Sequence, residues 1–69
     1  MKDIFTERFN EALKMTKNSQ VQIAESANVS KQCISDYKSG KAFPSIQTLR
    51  LLCKSLDVSA DFLLGLDDI

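Results

Sequence analysis

The chain has no histidine and no tryptophan, and it has only two glycines and one proline among its 69 residues. Without an imidazole, it lacks the side chain that most often serves as a general base and that commonly binds metal ions. Two isolated glycines cannot form the glycine-rich loop that cradles a phosphate group. No nucleophile is paired with a base either. We therefore predict a protein that is not an enzyme and that has no cofactor, no bound metal and no small-molecule substrate.

Cysteines and long hydrophobic runs are also scarce. Cys33 and Cys53 stand twenty residues apart, which matches no C-x-x-C zinc or redox pattern and predicts two reduced thiols. The longest nearly apolar stretch, 62–66, is far shorter than the roughly 20 residues that cross a bilayer. The first eight residues include four charged side chains, in a region where a signal peptide would be apolar. These features predict a cytoplasmic protein without a membrane partner.

The charges balance over the chain but are unevenly distributed. Nine basic and nine acidic residues give a net charge of zero, which argues against a uniformly basic nucleic-acid binder. Residues 14–41, however, contain five lysines and two acidic side chains, whereas 57–69 contain four aspartates and no cation. A local basic face is therefore compatible with the neutral total. The length allows a single domain, 1–69, in which 66–69 form a tail.

Apolar residues recur at spacings of three and four, which predicts helices and no strands. The expected helices cover about 4–16, 20–27, 31–39, 46–56 and 60–64. Serines precede four of them as N-caps, and Asn28, Gly40 and Gly65 follow three of them at positions that favour a left-handed backbone. Each helix is too short to be stable alone, so its stability must come from packing. The predicted fold class is all-α, a compact five-helix bundle with mostly orthogonal helices.

The apolar positions of two helices predict which residues are buried. On the second helix, Val21, Ala24 and Ala27 share one stripe, with Ile23 beside it. The fourth helix is expected to bury the apolar residues at positions 46, 49, 52, 53 and 56, namely Ile46, Leu49, Leu52, Cys53 and Leu56. This pattern alone indicates a small helical domain and no function.

The segment 20–39 has the features of a helix-turn-helix. Ala24 is small where a crossing helix must approach, and Asn28 tolerates the positive φ that a tight turn needs. The second helix of the pair has an unusually polar outer face, formed by Lys31, Gln32, Ser35, Asp36 and Lys38. These side-chain types contact base edges in DNA, with lysine suited to guanine, glutamine to adenine and aspartate to cytosine. The spacing alone is equally compatible with a solvated helix face on a generic bundle.

Several segments together resemble the lambda-repressor/Cro-type helix-turn-helix family, also called the xenobiotic-response-element family. The resemblance covers about 5–65 and is carried by 20–30, 34–41, 44–45, Leu49, 56–59 and 62–65. The main departure is Asn28, where the family commonly has glycine. The resemblance implies a five-helix DNA-binding domain of a transcription regulator, most often a phage or bacterial repressor that binds double-stranded DNA as a two-fold homodimer.

The resemblance also implies roles for individual residues. Those expected to contact bases from the major groove are Lys31, Gln32, Ser35 and Asp36. Those expected to contact phosphates are Gln20, Lys38, Ser39, Lys41 and Ser45.

The last helix and the tail carry apolar residues that the core does not require. Leu64, Leu66 and Ile69 are candidates for an exposed dimer surface, or they pack back against the first helix. The alternative function is a protein-interaction module, such as an antitoxin-like or adaptor domain, that uses these same residues to bind another protein.

Overall fold

The computed structural model describes residues 3–66, and within that range it contains five α-helices and no strand. The helices are α1 (Ile4–Met15), α2 (Gln20–Ser26), α3 (Lys31–Ser39), α4 (Ile46–Leu56) and α5 (Ala60–Leu64). The predicted all-α, five-helix fold is confirmed, and the first two helices each end one residue earlier than expected. None of these helices is long and apolar enough to span a membrane.

Each helix begins after a residue whose side-chain oxygen accepts a backbone N–H of the first turn. The N-caps are Asp3, Ser19, Ser30, Ser45 and Ser59. Ser19 forms a complete capping box, because the Gln22 side chain in turn accepts the backbone N–H of Ser19 at 2.8 Å. Caps of this kind each stabilise a helix by about 1 kcal/mol. They explain why helices as short as five and seven residues begin at defined positions.

Four residues within 3–66 have positive φ, and each of them follows the end of a helix. Asn28 has a φ of 61° after α2, and Gly40 has a φ of 83° after α3, as the sequence predicts. Asp57 ends α4 with a φ of 57°, and Gly65 ends α5 with a φ of 76°. The left-handed region favours glycine and tolerates asparagine and aspartate. These residues therefore allow the chain to change direction within a few residues of each helix end.

The five helices pack in a closed ring. α1 contacts α3 and α5, α2 contacts α3 and α4, and α4 contacts α5. One fully buried apolar residue from each helix lies in the core of this ring: Phe9, Ile23, Ile34, Leu52 and Leu63. Since every helix contributes to the same core, the loss of one helix would expose the buried side chains of its two neighbours.

Two residues expected in the core are exposed. Val21 is 45% exposed, because the buried side of α2 is formed by Ile23, Ala24 and Ala27. At about 100° of rotation per residue, Val21 points about 110° away from the middle of that side. Ile46 is 88% exposed as the first residue of α4, whereas Leu49, Leu52, Cys53 and Leu56 further along the helix are buried at least in part. The stripes predicted for α2 and α4 were therefore wrong at these two positions.

A side-chain contact joins α1 to α5. Arg8 Nη1 donates a hydrogen bond to the carbonyl oxygen of Phe62 at 3.0 Å, and the Arg8 guanidinium carbon lies 4.7 Å from the centroid of the Phe62 ring. The contact combines a charge-assisted hydrogen bond with a cation–π interaction. It holds the short last helix against the first, although 54 residues separate the two side chains in the sequence.

Candidate nucleic-acid interface

The turn between α2 and α3 brings the two helices into close contact. Ala24 on α2 is 3% exposed, and its carbonyl oxygen accepts the backbone N–H of Val29 at 3.0 Å. Asn28 adopts the left-handed conformation just before that residue. Ile34 and Tyr37 then bury one side of α3 in the core. The predicted helix-turn-helix at 20–39 is thereby confirmed in its local geometry, with the small residue at the crossing.

The opposite side of α3 is open to solvent. Lys31, Gln32, Ser35 and Ser39 are exposed, and Asp36 is partly buried. The polar flank predicted to contact DNA is therefore not covered by other helices. An α-helix with one bare flank fits the major groove of B-form DNA, which is about 12 Å wide.

A cap at its start and a contact with α1 near its end fix α3. At its start, the Ser30 hydroxyl accepts the backbone N–H of Cys33 at 3.2 Å. Near its end, Asn10 Nδ2 of α1 donates to the carbonyl oxygen of Lys38 at 3.0 Å and to that of Thr6 at 2.8 Å. The sequence reasoning did not find Asn10. A signal was present, because asparagine has low helix propensity and here occupies the middle of a helix.

Two exposed-face side chains of α3 bind each other. Gln32 Nε2 donates a hydrogen bond to Asp36 Oδ1 at 3.0 Å, one helical turn further along. Their i, i+4 spacing on one helix brings the two side chains within reach of each other. The glutamine amide is thus held in a defined orientation on the face that would meet DNA.

Comparisons with known proteins agree with this geometry. A helix-turn-helix family model matches residues 10–63, which is most of the chain. The chain belongs to the lambda-repressor/Cro-like helix-turn-helix family of DNA-binding transcription regulators.

Two relatives support this assignment. The chain is 34% identical over 65 residues to the HTH-type transcriptional activator BcrR of Enterococcus faecalis, a match that covers 88% of this chain and 32% of that protein. It is also similar to the solution structure of the SOS-response transcriptional repressor LexA from Eubacterium rectale, with a TM-score of 0.80 and 26% identity. That match covers 88% of this chain and 65% of the LexA chain. The helix-turn-helix domain therefore spans about a third of the first relative and about two thirds of the second structure.

The residues predicted to contact phosphates lie at the start of α2, at the end of α3 and in the loop that follows α3. Gln20 is exposed as the first residue of α2, and Lys41 is exposed just after Gly40. The Ser39 hydroxyl donates to the carbonyl oxygen of Asp36 at 3.2 Å, which leaves its oxygen able to accept. The Ser45 hydroxyl is already engaged, since it accepts the backbone N–H of Thr48 at 3.2 Å and lies 3.1 Å from the Thr48 hydroxyl. Contact of these residues with phosphate stays a prediction.

A shallow groove of about 400 Å³ lies between α1 and α3. Its lining residues are Asn10, Lys14, Ser35, Lys38 and Ser39. The fold thus places Lys14 of α1 along the same edge as Lys38 of α3. Although Lys14 belongs to the basic segment 14–41, the sequence reasoning did not include it among the phosphate contacts.

The thiol and phenol of α3 have opposite pKa shifts. The Ser30 hydroxyl lies 3.4 Å from the Cys33 sulfur and lowers the pKa of this thiol by hydrogen bonding to it. Burial raises the pKa of Tyr37, so its hydroxyl remains protonated and neutral at physiological pH. Cys33 and Cys53 are both free thiols. Among residues 3–66, no cluster of three or more acidic or thiol side chains is arranged to hold a metal ion.

Two of the three dimer candidates are exposed on α5 and beyond it. Leu64 is 45% exposed and Leu66 is 74% exposed, whereas Ile69 and the rest of the predicted tail, 67–69, lie outside the described residues. Leu64 also lines a shallow cavity of about 280 Å³ with several apolar residues of α1, the α3–α4 loop and α4, namely Phe5, Phe43, Pro44 and Leu49. An apolar surface therefore continues from the last helix to the loop that follows α3.

Proposed function

We propose that this domain binds a specific operator sequence as a homodimer and represses transcription by occupying it, in the cytoplasm of a bacterium or of a phage-infected cell. The observation that carries the proposal is the bare polar flank of α3, a helix that Ser30 caps at its start and that Asn10 joins to α1 near its end. Occupancy alone is sufficient for repression, whereas activation requires a further contact with the transcription machinery. One of the relatives is named an activator and the other a repressor.

Base recognition is assigned to the outer face of α3. The proposed base-contacting residues are Lys31, Gln32, Ser35 and Asp36. Lys31 would donate to the guanine acceptors O6 and N7, and Gln32 would pair with adenine. The proposed phosphate contacts are Gln20, Lys38, Ser39, Lys41 and Ser45, together with Lys14, which the groove places beside Lys38.

The charge distribution supports a homodimer. Five lysines lie in 14–41, and few of them can reach phosphates at once, so a single domain would bind DNA weakly and lose affinity steeply with salt. A two-fold dimer doubles these contacts and places two α3 helices about 34 Å apart on one face of the duplex. Leu64 and Leu66 offer exposed apolar surface for the contact between the two copies.

Selection of bound duplexes from a random pool tests DNA recognition. Wild-type protein should enrich a two-fold symmetric sequence with half-sites one helical turn apart. The variant K31A/Q32A should lose this preference. K54A is the control, because it removes one exposed lysine from α4, which packs against α2 and α5. Absence of any sequence preference at low salt, or an equal effect of K54A, would refute the proposal.

Sedimentation equilibrium tests the dimer surface. The variant L64S/L66S should shift the protein toward monomer and weaken operator binding, because it removes two exposed leucines from the proposed contact. M15S is the matched control, since Met15 is 82% exposed at the end of α1 and outside this surface. If L64S/L66S leaves association and operator binding unchanged but abolishes binding to another protein, the interaction-module alternative is favoured instead.

A further inference from the structure

The hydrogen bond between Gln32 and Asp36 has a consequence for sequence selectivity. We propose that Asp36 is a positioning residue that makes Gln32 select adenine over guanine, by occupying one N–H of the Gln32 amide. This inference rests on the proposed function, because it assumes that α3 lies in the major groove.

The chemistry of the pair decides how the amide is oriented. A carboxylate can only accept hydrogen bonds, so Gln32 must turn its Nε2 group toward Asp36, as the 3.0 Å contact shows. The Asp36 side chain is partly buried, while Gln32 is exposed. The backbone of Asp36 is also held, because its carbonyl oxygen accepts the N–H of Lys41 at 2.9 Å and the hydroxyl of Ser39 at 3.2 Å. Asp36 is therefore the less exposed member of the pair, and its carboxylate is the acceptor toward which the Gln32 amide turns.

The groups that remain on Gln32 match one purine. After one N–H is given to Asp36, the amide has its oxygen as an acceptor and one N–H as a donor. Adenine presents the complementary pair in the major groove, the N6 amino donor and the N7 acceptor. Guanine presents two acceptors, O6 and N7, so the Gln32 oxygen would face an acceptor. A glutamine without Asp36 could rotate its amide and offer both N–H groups to guanine.

The proposed function also gives Asp36 a direct contact with a base, and this role competes with the positioning role. Its carboxylate could accept a hydrogen bond from the N4 amino group of a cytosine. In that case Asp36 would determine a base pair different from the one that Gln32 contacts. The two roles therefore differ in which base pair changes when Asp36 is replaced.

Equilibrium binding to the selected operator and to its single-base variants separates these roles. The base pair contacted by Gln32 is the one at which Q32A loses its preference. At this pair, wild-type protein should prefer adenine, and D36A should reduce the preference over guanine by about fivefold or more, within the range of a bidentate base contact. The proposal is overturned if the base pair sensitive to Q32A contains no adenine, or if D36A leaves the adenine preference at that pair intact. It is also overturned if D36A alters the base preference at a different pair.

Two control variants separate hydrogen bonding from charge. D36E keeps an acceptor-only carboxylate and should retain the adenine preference, whereas equal loss in D36E and D36A would overturn the proposal. E25Q removes one negative charge from an exposed position of α2. It should raise affinity for all sequences alike without changing the adenine preference, and a lost preference in E25Q would contradict the hydrogen-bond explanation. Wild-type protein that binds no sequence preferentially would refute the proposed function itself, and this inference with it.

Discussion

Replacing Asn10 with alanine should destabilise the domain by loosening the end of α3. The Asn10 amide donates to the carbonyl oxygens of Thr6 and Lys38, at 2.8 and 3.0 Å. Each such hydrogen bond contributes about 0.5–1.5 kcal/mol, so their loss costs about 1–3 kcal/mol. Alanine recovers roughly 0.5 kcal/mol of this through its higher helix propensity. We therefore expect N10A to lower the free energy of unfolding by about 0.5–2.5 kcal/mol.

Urea unfolding followed by circular dichroism measures this loss, and thermal unfolding should show a Tm lower by about 4–8 °C for each kcal/mol. N18A is the matched control. Asn18 makes a single long hydrogen bond, from its Nδ2 to the carbonyl oxygen of Ser55 at 3.4 Å, and it is exposed. N18A should therefore cost less than about 0.5 kcal/mol. If N10A costs no more than N18A, Asn10 does not hold α3 against α1.

Two further predictions compare paired residues. G65A should be more destabilising than G40A, although both glycines have positive φ, of 76° and 83°. A Cβ at Gly65 would lie 2.6 Å from Ile4 Cγ1. The nearest atom to a Cβ at Gly40, in contrast, is 3.5 Å away. Both should cost about 1 kcal/mol or more from backbone strain, and equal losses in urea unfolding would contradict the steric contribution. Cys33 should react with iodoacetamide at lower pH than Cys53, because hydrogen bonding lowers the pKa of Cys33 and burial raises that of Cys53. Mass spectrometry of the labelled peptides at about pH 6–9, a range that includes the ordinary thiol pKa, checks this order. Faster labelling of Cys53 would refute it.

The local part of the candidate interface was predictable because its determinants are neighbours in the sequence. The Gln32–Asp36 hydrogen bond follows from i, i+4 spacing on one helix. The positive φ of Asn28 follows from its place after an apolar stripe. The roles assigned to the outer face of α3 depend on its exposure, which the structure confirms for Lys31, Gln32 and Ser35.

The remaining part of the interface depends on contacts between distant residues. Asn10 lies 28 residues before Lys38, and no spacing rule links the two. Lys14 belongs to α1, and only the packing of α1 against α3 places it at the same groove as Lys38. These two residues were therefore found from the structure.

The sequence by itself determined where the helices begin and, to within one residue, where they end, because caps and left-handed residues act over a few positions. Ser19, Ser30, Ser45 and Ser59 each accept a backbone N–H three residues later, and Gly40 follows α3. Only the tertiary structure decided how much of each apolar stripe is buried. Val21 and Ile46 have the spacing of core residues and yet are exposed. Burial depends on which neighbouring helix covers a given arc, and the closed ring of five helices determines that coverage.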